Sequence, residues 1–393
     1  MKHHLILEKE PQVFKRTEAS PTTYDISICD NKQMFVKQMG NCVAKTNKKT
    51  GPDQFLLSME GPELVSPLQT HMGNCEYVFN LTVALSGSYS VRLLRLRSNY
   101  KAETTEKQYQ PPYFDLLIDK TELRLIGTNK TNEKWIYDEN YQISNGPLPN
   151  YVAVETRNFL PTRVVCPLRV RRDPSFRAGG SGRVWKLNPS KYYFQIPAEP
   201  PTLNQKILFV GDSHMRVLFN AFLYYNCNTH MQALKGFETS QCFKSPGLCT
   251  QSMFCMQHVP AFDIPEMSTT KFDAVLINVG HHLITGNIFM SSEKYTETLK
   301  KWKIHFSPYK TTWVSTFPQP IVRDLPLKQH NDMRTNVRIM ELNTIAKHQF
   351  SRYLDLFTIT MPMIEAAAGD CGHYLPYNIQ QALSTTLTHY IKT

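Results

Sequence analysis

The chain has 393 residues, of which 41% are hydrophobic and 20% charged, and carries a net charge of +11. That length accommodates two domains, and that apolar fraction excludes an intrinsically disordered chain. No window reaches the roughly 18 consecutive apolar residues that span a bilayer, and no recognised nucleic-acid-binding module accompanies the positive charge, so no nucleic-acid partner is expected.

Residues 1–20 show no periodicity and are expected to be a flexible leader, too polar at the start for a signal-peptide core. From 21 to 175 the pattern is short alternating apolar runs broken by turn residues, which predicts an all-β sandwich of the immunoglobulin or filamin kind. Its clearest hairpin is expected to pair Tyr77–Leu85 with Tyr89–Leu93 across a Ser86-Gly87-Ser88 turn; Tyr113–Ile118, Leu123–Ile126 and Tyr151–Glu155 read as further strands. Two N-glycosylation triplets begin at Asn80 and Asn129, and the alternation of Tyr77–Leu85 puts Asn80 on the outer face of its strand.

A basic stretch follows, with Arg163, Arg169, Arg171, Arg172, Arg177, Arg183, Lys186 and Lys191 opposed only by Asp173. It reads as a solvated interdomain segment. From 176 to 393 the rhythm changes to strands alternating with helices. Strand-like runs are Ile207–Val210, Ala274–Asn278, Thr312–Thr316 and Tyr353–Phe357; helix-like runs are His214–Tyr225, Ser291–Phe306 and Arg334–Phe350. Apolar strands between amphipathic helices predict a parallel sheet flanked by helices, with function at the carboxyl ends of its strands.

The nine cysteines include four between Cys227 and Cys255, within a stretch rich in Gly, Pro, Ser and Gln. This pattern predicts a loop stapled by disulfides rather than a zinc site, because no Cys-x2-Cys pair exists. The odd total leaves one thiol free or bonded to another chain. Disulfides and glycosylation triplets together point to a secretory-pathway lumen such as the Golgi, or to the extracellular space. They are also compatible with a sequence that begins downstream of a targeting or membrane-attaching segment.

Chemistry concentrates in three places. Gly211-Asp212-Ser213-His214 joins a predicted strand to a predicted helix, a geometry that lifts a serine hydroxyl beside the N–H groups of a helix N-terminus. A serine needs a base, and Asp370-Cys-Gly-His373 supplies one with a carboxylate spaced to orient it. Asn278-Val-Gly280-His281-His282 closes the strand Ala274–Asn278, where an amide and a glycine N–H could serve an oxyanion hole with the Ser213 N–H. His281 reads as pocket-lining, Asp212 as an oxyanion- or substrate-side residue, and Arg216 as a substrate-orienting or solvent-facing cation. Neighbouring histidines on an extended chain point apart, so no metal is expected.

At these residues the chain resembles the SGNH (GDSL-like) hydrolase superfamily, and within it the PC-esterase branch of trichome birefringence-like glycan O-acetyltransferases. Gly211-Asp-Ser213 with Arg216 resembles a Gly-Asp-Ser-x-x-Arg block, Asn278-Val-Gly-His281 an Asn-Thr-Gly-His block, and Asp370-Cys-Gly-His373-Tyr-Leu-Pro376 an Asp-Cys-Ser-His-Trp-Cys-Leu-Pro block. Val184-Trp-Lys-Leu-Asn-Pro189 is similar to the lead-in before the nucleophile, and a β-domain ahead of such a unit is similar to neurexophilin-and-PC-esterase proteins. The resemblance covers roughly residues 180–393. His282 and Tyr374 stand where plant members carry tryptophan, and the second cysteine of the last block is absent.

The resemblance implies a three-layer SGNH-type fold with Ser213 as nucleophile, His373 as base and Asp370 as its orienter. Gly236, with Gly247 as the alternative, is the candidate oxyanion glycine. It also implies an acyl-serine enzyme with no bound cofactor that takes an acetyl group from acetyl-CoA or another acetyl ester and hands it to a carbohydrate, as polysaccharide or glycoprotein glycan. Two alternatives stand beside this O-acetyltransferase. One is an acetylesterase using the same residues, and the other is a non-catalytic glycan- or protein-binding ectodomain.

Overall fold

The computed structural model describes residues 24–29, 32–39, 53–97, 113–128, 134–137, 192–195, 203–229, 240–259, 262–265, 270–285, 288–320, 335–364, 373–374 and 377–392. The basic stretch 163–191, the lead-in 184–189, the run Tyr151–Glu155, Asn129, Gly236 and Asp370 lie outside them.

Two antiparallel sheets come first. One has the order β1 (Tyr24–Cys29), β2 (Gln33–Gln38), β6 (Glu76–Asn80), β5 (Thr70–Gly73). The other runs β10 (Tyr192–Gln195), β9 (Lys134–Tyr137), β4 (Glu63–Val65), β3 (Gln54–Glu60), β7 (Gly87–Arg97), β8 (Tyr113–Leu125). They share one buried cluster to which Val36, Tyr77 and Phe79 contribute from the first sheet and Leu57, Val91 and Leu93 from the second. Leu56, Leu64, Leu94, Leu96 and Trp135 of the second sheet belong instead to the large core of the following α/β layer. The Trp135 indole N–H donates to the Ile359 carbonyl at 2.9 Å, so the two parts are joined by packing and by a hydrogen bond.

The expected hairpin is not formed. β6 and β7 lie in different sheets, and Leu81–Ser86 carries the chain between them with Leu81 and Val83 buried on the way. The alternation of Tyr77–Leu85 is a real signal of burial, but periodicity on one strand says nothing about its pairing partner. Tyr113–Ile118 and Leu123–Ile126 form one long strand whose pairing with β7 shifts register twice. Tyr192–Gln195, expected in the second domain, instead adds the edge strand β10 to the antiparallel sheet.

The third sheet is mixed: β12 (Ser240–Lys244), β13 (Met253–His258), β11 (Lys206–Gly211), β14 (Ala274–Asn278), β17 (Lys310–Val314), β18 (Tyr353–Leu354). Only β12 runs antiparallel. Its five parallel strands therefore have the doubly wound order 2-1-3-4-5, whose connections reverse direction beside β11. A minor ribbon, β15 (Ile284–Thr285) with β16 (Ile288–Phe289), follows a short 3-10 turn at His281–Leu283. Helix α1 (Ser213–Cys227) packs with α5 (Tyr377–Lys392), and α2 (Ser292–His305) with α3 (Asn336–Gln349). The first three predicted helices match within two residues. The strand predicted over Tyr353–Phe357 stops at Leu354, because Asp355 caps the short α4 (Leu356–Thr360) by accepting the Thr358 N–H at 3.0 Å. No helix among the described residues is long and apolar enough to cross a membrane.

The cysteine-rich stretch is more than a stapled loop. It supplies β12 and β13, and β13 is interior to the sheet. Cys242 and Cys255 face each other across the β12–β13 pair and are bonded, and Cys227 at the end of α1 is bonded to Cys249. Cys29 is a free, exposed thiol. The links close loops of 13 and 22 residues, for which restriction of the unfolded chain stabilises by about 3 kcal/mol each. Replacing Cys242 and Cys255 together by alanine is expected to lower the unfolding free energy by about that amount in denaturant titration.

Candidate active site

Ser213 sits where β11 turns into α1, at the carboxyl edge of the sheet beside the reversal of strand order. The turn is tight because Gly211 has no side chain: a Cβ there would overlap the Asn278 carbonyl oxygen and stand 2.6 Å from Met215 Cβ. Asp212 is fully buried and caps α1, its Oδ1 accepting the His214 N–H at 2.9 Å. Its Oδ2 accepts the Gly280 N–H at 3.4 Å, and its own N–H donates to the Asn278 carbonyl at 3.3 Å. One residue thus ties the start of α1 to the segment after β14.

His373 lies 160 positions further along the chain, yet its Nε2 stands 2.8 Å from Ser213 Oγ. Both side chains are half-buried, which leaves the pair open to a reactant. The Ser213 N–H donates to no group among the described residues, as suits the first residue of a helix. The next residue, Tyr374, is buried, and its hydroxyl donates to the Pro318 carbonyl at 3.0 Å. Burial raises its pKa well above that of a free phenol.

Three predicted roles are changed by the geometry. The Asn278 amide donates to the carbonyls of Val314 (3.2 Å) and Ser315 (2.6 Å), clamping β14 to the end of β17 rather than facing an oxyanion. The Gly280 N–H is directed at Asp212, and a Cβ on Gly280 would overlap the Thr316 side chain, so this glycine serves close packing. The Asp212 carboxylate is committed to backbone donors rather than to a substrate. Gly247, the alternative oxyanion glycine, has φ +50° in the turn closed by Cys227–Cys249, where a Cβ would overlap the Cys227 carbonyl.

His281 is buried with its Nε2 2.7 Å from the Phe317 carbonyl, and its ring stacks on His214. Arg216 is buried in the first turns of α1. Its charge acts on His258, whose position at the end of β13 is paired in register with Gly211. Burial first, then the Arg216 charge and His282, push the His258 pKa down to about 4, with Asp212 acting in the opposite sense. Asn80 is exposed, its Oδ1 accepting from Gln33. No group of three His, Cys, Asp or Glu that could hold a metal occurs among the described residues. His258 and Phe317 lie outside the three motifs, and the fold sets them beside Gly211 and His214.

No family model matches the chain, and no curated protein sequence does. Among solved structures it is similar to a lipase/acylhydrolase from Enterococcus faecalis, at 14% identity and TM-score 0.35 over 48% of this chain and 95% of that one. A carbohydrate acetylesterase from Sinorhizobium meliloti matches at 12% identity and TM-score 0.32, over 48% and 98% of the two chains. An acetyl xylan esterase matches at 11% identity and TM-score 0.31, over 46% and 97%. At such scores the functional reading rests on the residues themselves.

Two outcomes follow from this geometry. An asparagine at 212 retains one acceptor for two N–H groups, so Asp212→Asn is expected to cost about 1–3 kcal/mol in thermal unfolding and to slow any reaction at Ser213. His258 gains its proton more readily unfolded, near 6.5, than folded, near 4. Its contribution is therefore intact above pH 6.5 and is lost as pH falls towards 4. His258→Gln is expected to flatten that part of the stability–pH curve.

Proposed function

We propose that this protein is a serine-dependent acyl enzyme of the SGNH, PC-esterase type that transfers acetyl groups to carbohydrate hydroxyls. The observation that carries the proposal is the 2.8 Å approach of His373 Nε2 to Ser213 Oγ at the N-terminus of α1. A serine hydroxyl is a weak nucleophile until a base takes its proton, and an imidazole at that distance can do so. The N-terminal N–H groups of the helix then offer positive potential to the oxyanion.

In this reading Ser213 Oγ attacks the acetyl carbonyl of acetyl-CoA or another acetyl ester while its proton passes to His373 Nε2. The tetrahedral intermediate collapses, the leaving group takes that proton, and acetyl-serine remains. A glycan hydroxyl then gives its proton to His373 and attacks the acetyl-serine. Collapse of the second intermediate releases the O-acetyl sugar, and Ser213 regains the proton. Asp370 orients His373 and favours the imidazolium; the Ser213 N–H and Gly236 hold the oxyanion. Arg216 contacts the substrate. The two facing antiparallel sheets act as an immunoglobulin- or filamin-like accessory unit. The disulfides favour a lumenal or extracellular site of action, with glycans on Asn80 and Asn129.

A fluorophosphonate probe is expected to label Ser213 and not the Ser213→Ala variant. His373→Ala should keep its melting temperature and lose at least about 10³-fold in turnover, as a missing triad member does. Mass spectrometry of glycans incubated with an acetyl donor separates transfer to sugar from release to water. Absence of labelling at Ser213 in the wild type would refute the acyl-enzyme reading.

A further inference from the structure

The base is reached by a file of rings that starts from a backbone carbonyl. A carbonyl oxygen only accepts, so the His281 Nε2 facing Phe317 carries its proton, and this bond fixes the ring. His281 stacks on His214 with centroids 3.8 Å apart and planes 15° from parallel. His214 meets His373 at 4.7 Å and 37°, and its edge is closed by Phe317 at 5.6 Å. Both His214 and His281 are buried, whereas His373 is only half-buried.

We propose that His214 is a positioning residue: its imidazole face holds the ring of His373 so that Nε2 points at Ser213. The backbone near His373 is already fixed by the Tyr374 hydroxyl on Pro318, the residue after Phe317. That bond restrains the chain but not the rotation of the His373 ring, which a flat partner does restrain. His214 also follows Ser213 in the first turn of α1, so one helical turn carries both the nucleophile and the surface that aligns its base. The catalytic consequence rests on the acyl-enzyme reading; the alignment of His373 does not.

His214→Phe keeps a flat face without nitrogen atoms, and His214→Ala removes the face. The alanine variant is expected to lose about tenfold in kcat and in fluorophosphonate labelling rate, the size of a lost aromatic pair, with KM unchanged. The phenylalanine variant should recover most of that loss. A loss confined to melting temperature in the alanine variant would overturn the proposal. So would a phenylalanine variant as slow as the alanine one, because that assigns the role to a ring nitrogen. Imidazole ¹⁵N spectra read the same point without turnover: the His373 Nε2 signal should change in His214→Ala and hold in His214→Phe. A wild type that resists the probe while its spectra follow this pattern retains the positioning role and loses the acyl-enzyme reading. Spectra indifferent to both substitutions remove the positioning role.

Discussion

The geometry around Ser213 depends on a carboxylate that never meets solvent. Asp212 turns both oxygens to backbone N–H groups, one at the start of α1 and one after β14. Helix starts and strand ends both leave polar groups that need partners, and a carboxylate can serve two at once. Because Gly211 allows β14 and α1 to approach so closely, these donors fall within reach of one side chain. The Ser213–His373 contact is the outcome at the open side of the same junction.

Around that junction the end of β17 acts as a common anchor. Val314 and Ser315 receive the Asn278 amide, Phe317 receives His281, and Pro318 receives Tyr374. The Thr316 N–H and carbonyl are held in turn by the Asn343 side chain of α3. Segments distant in sequence are therefore registered against five consecutive residues, and carbonyl oxygens do most of the work.

Much of the α/β layer was legible because its helices carry amphipathic spacing and its strands are short apolar runs. The antiparallel part was less so. β3 is buried on both faces, so Gln54–Glu60 shows no alternation from which to read it. β13 was hidden by its setting: Met253–His258 lies among glycines, prolines and cysteines that suggest a loop, yet β11 pairs with it along its length. The motifs around Ser213 and His373 were visible, and their pairing was argued from the need of a serine for a base, since no periodicity spans 160 positions. Chemistry and then resemblance pointed to it where periodicity could not. Asn278 and Gly280 stand out in the sequence as oxyanion donors, whereas their N–H groups are directed at protein acceptors, because a motif shows that a residue type recurs and not which neighbour it meets.

The Trp135–Ile359 bond and the shared core around Leu94 and Leu96 make the antiparallel sheet an outer wall of the α/β layer. Cutting the chain between the two parts would leave a face of leucines and an indole on one piece and an uncovered core on the other. Each fragment would be sticky in water. The two units thus share one interior, and the surface between them is core for both.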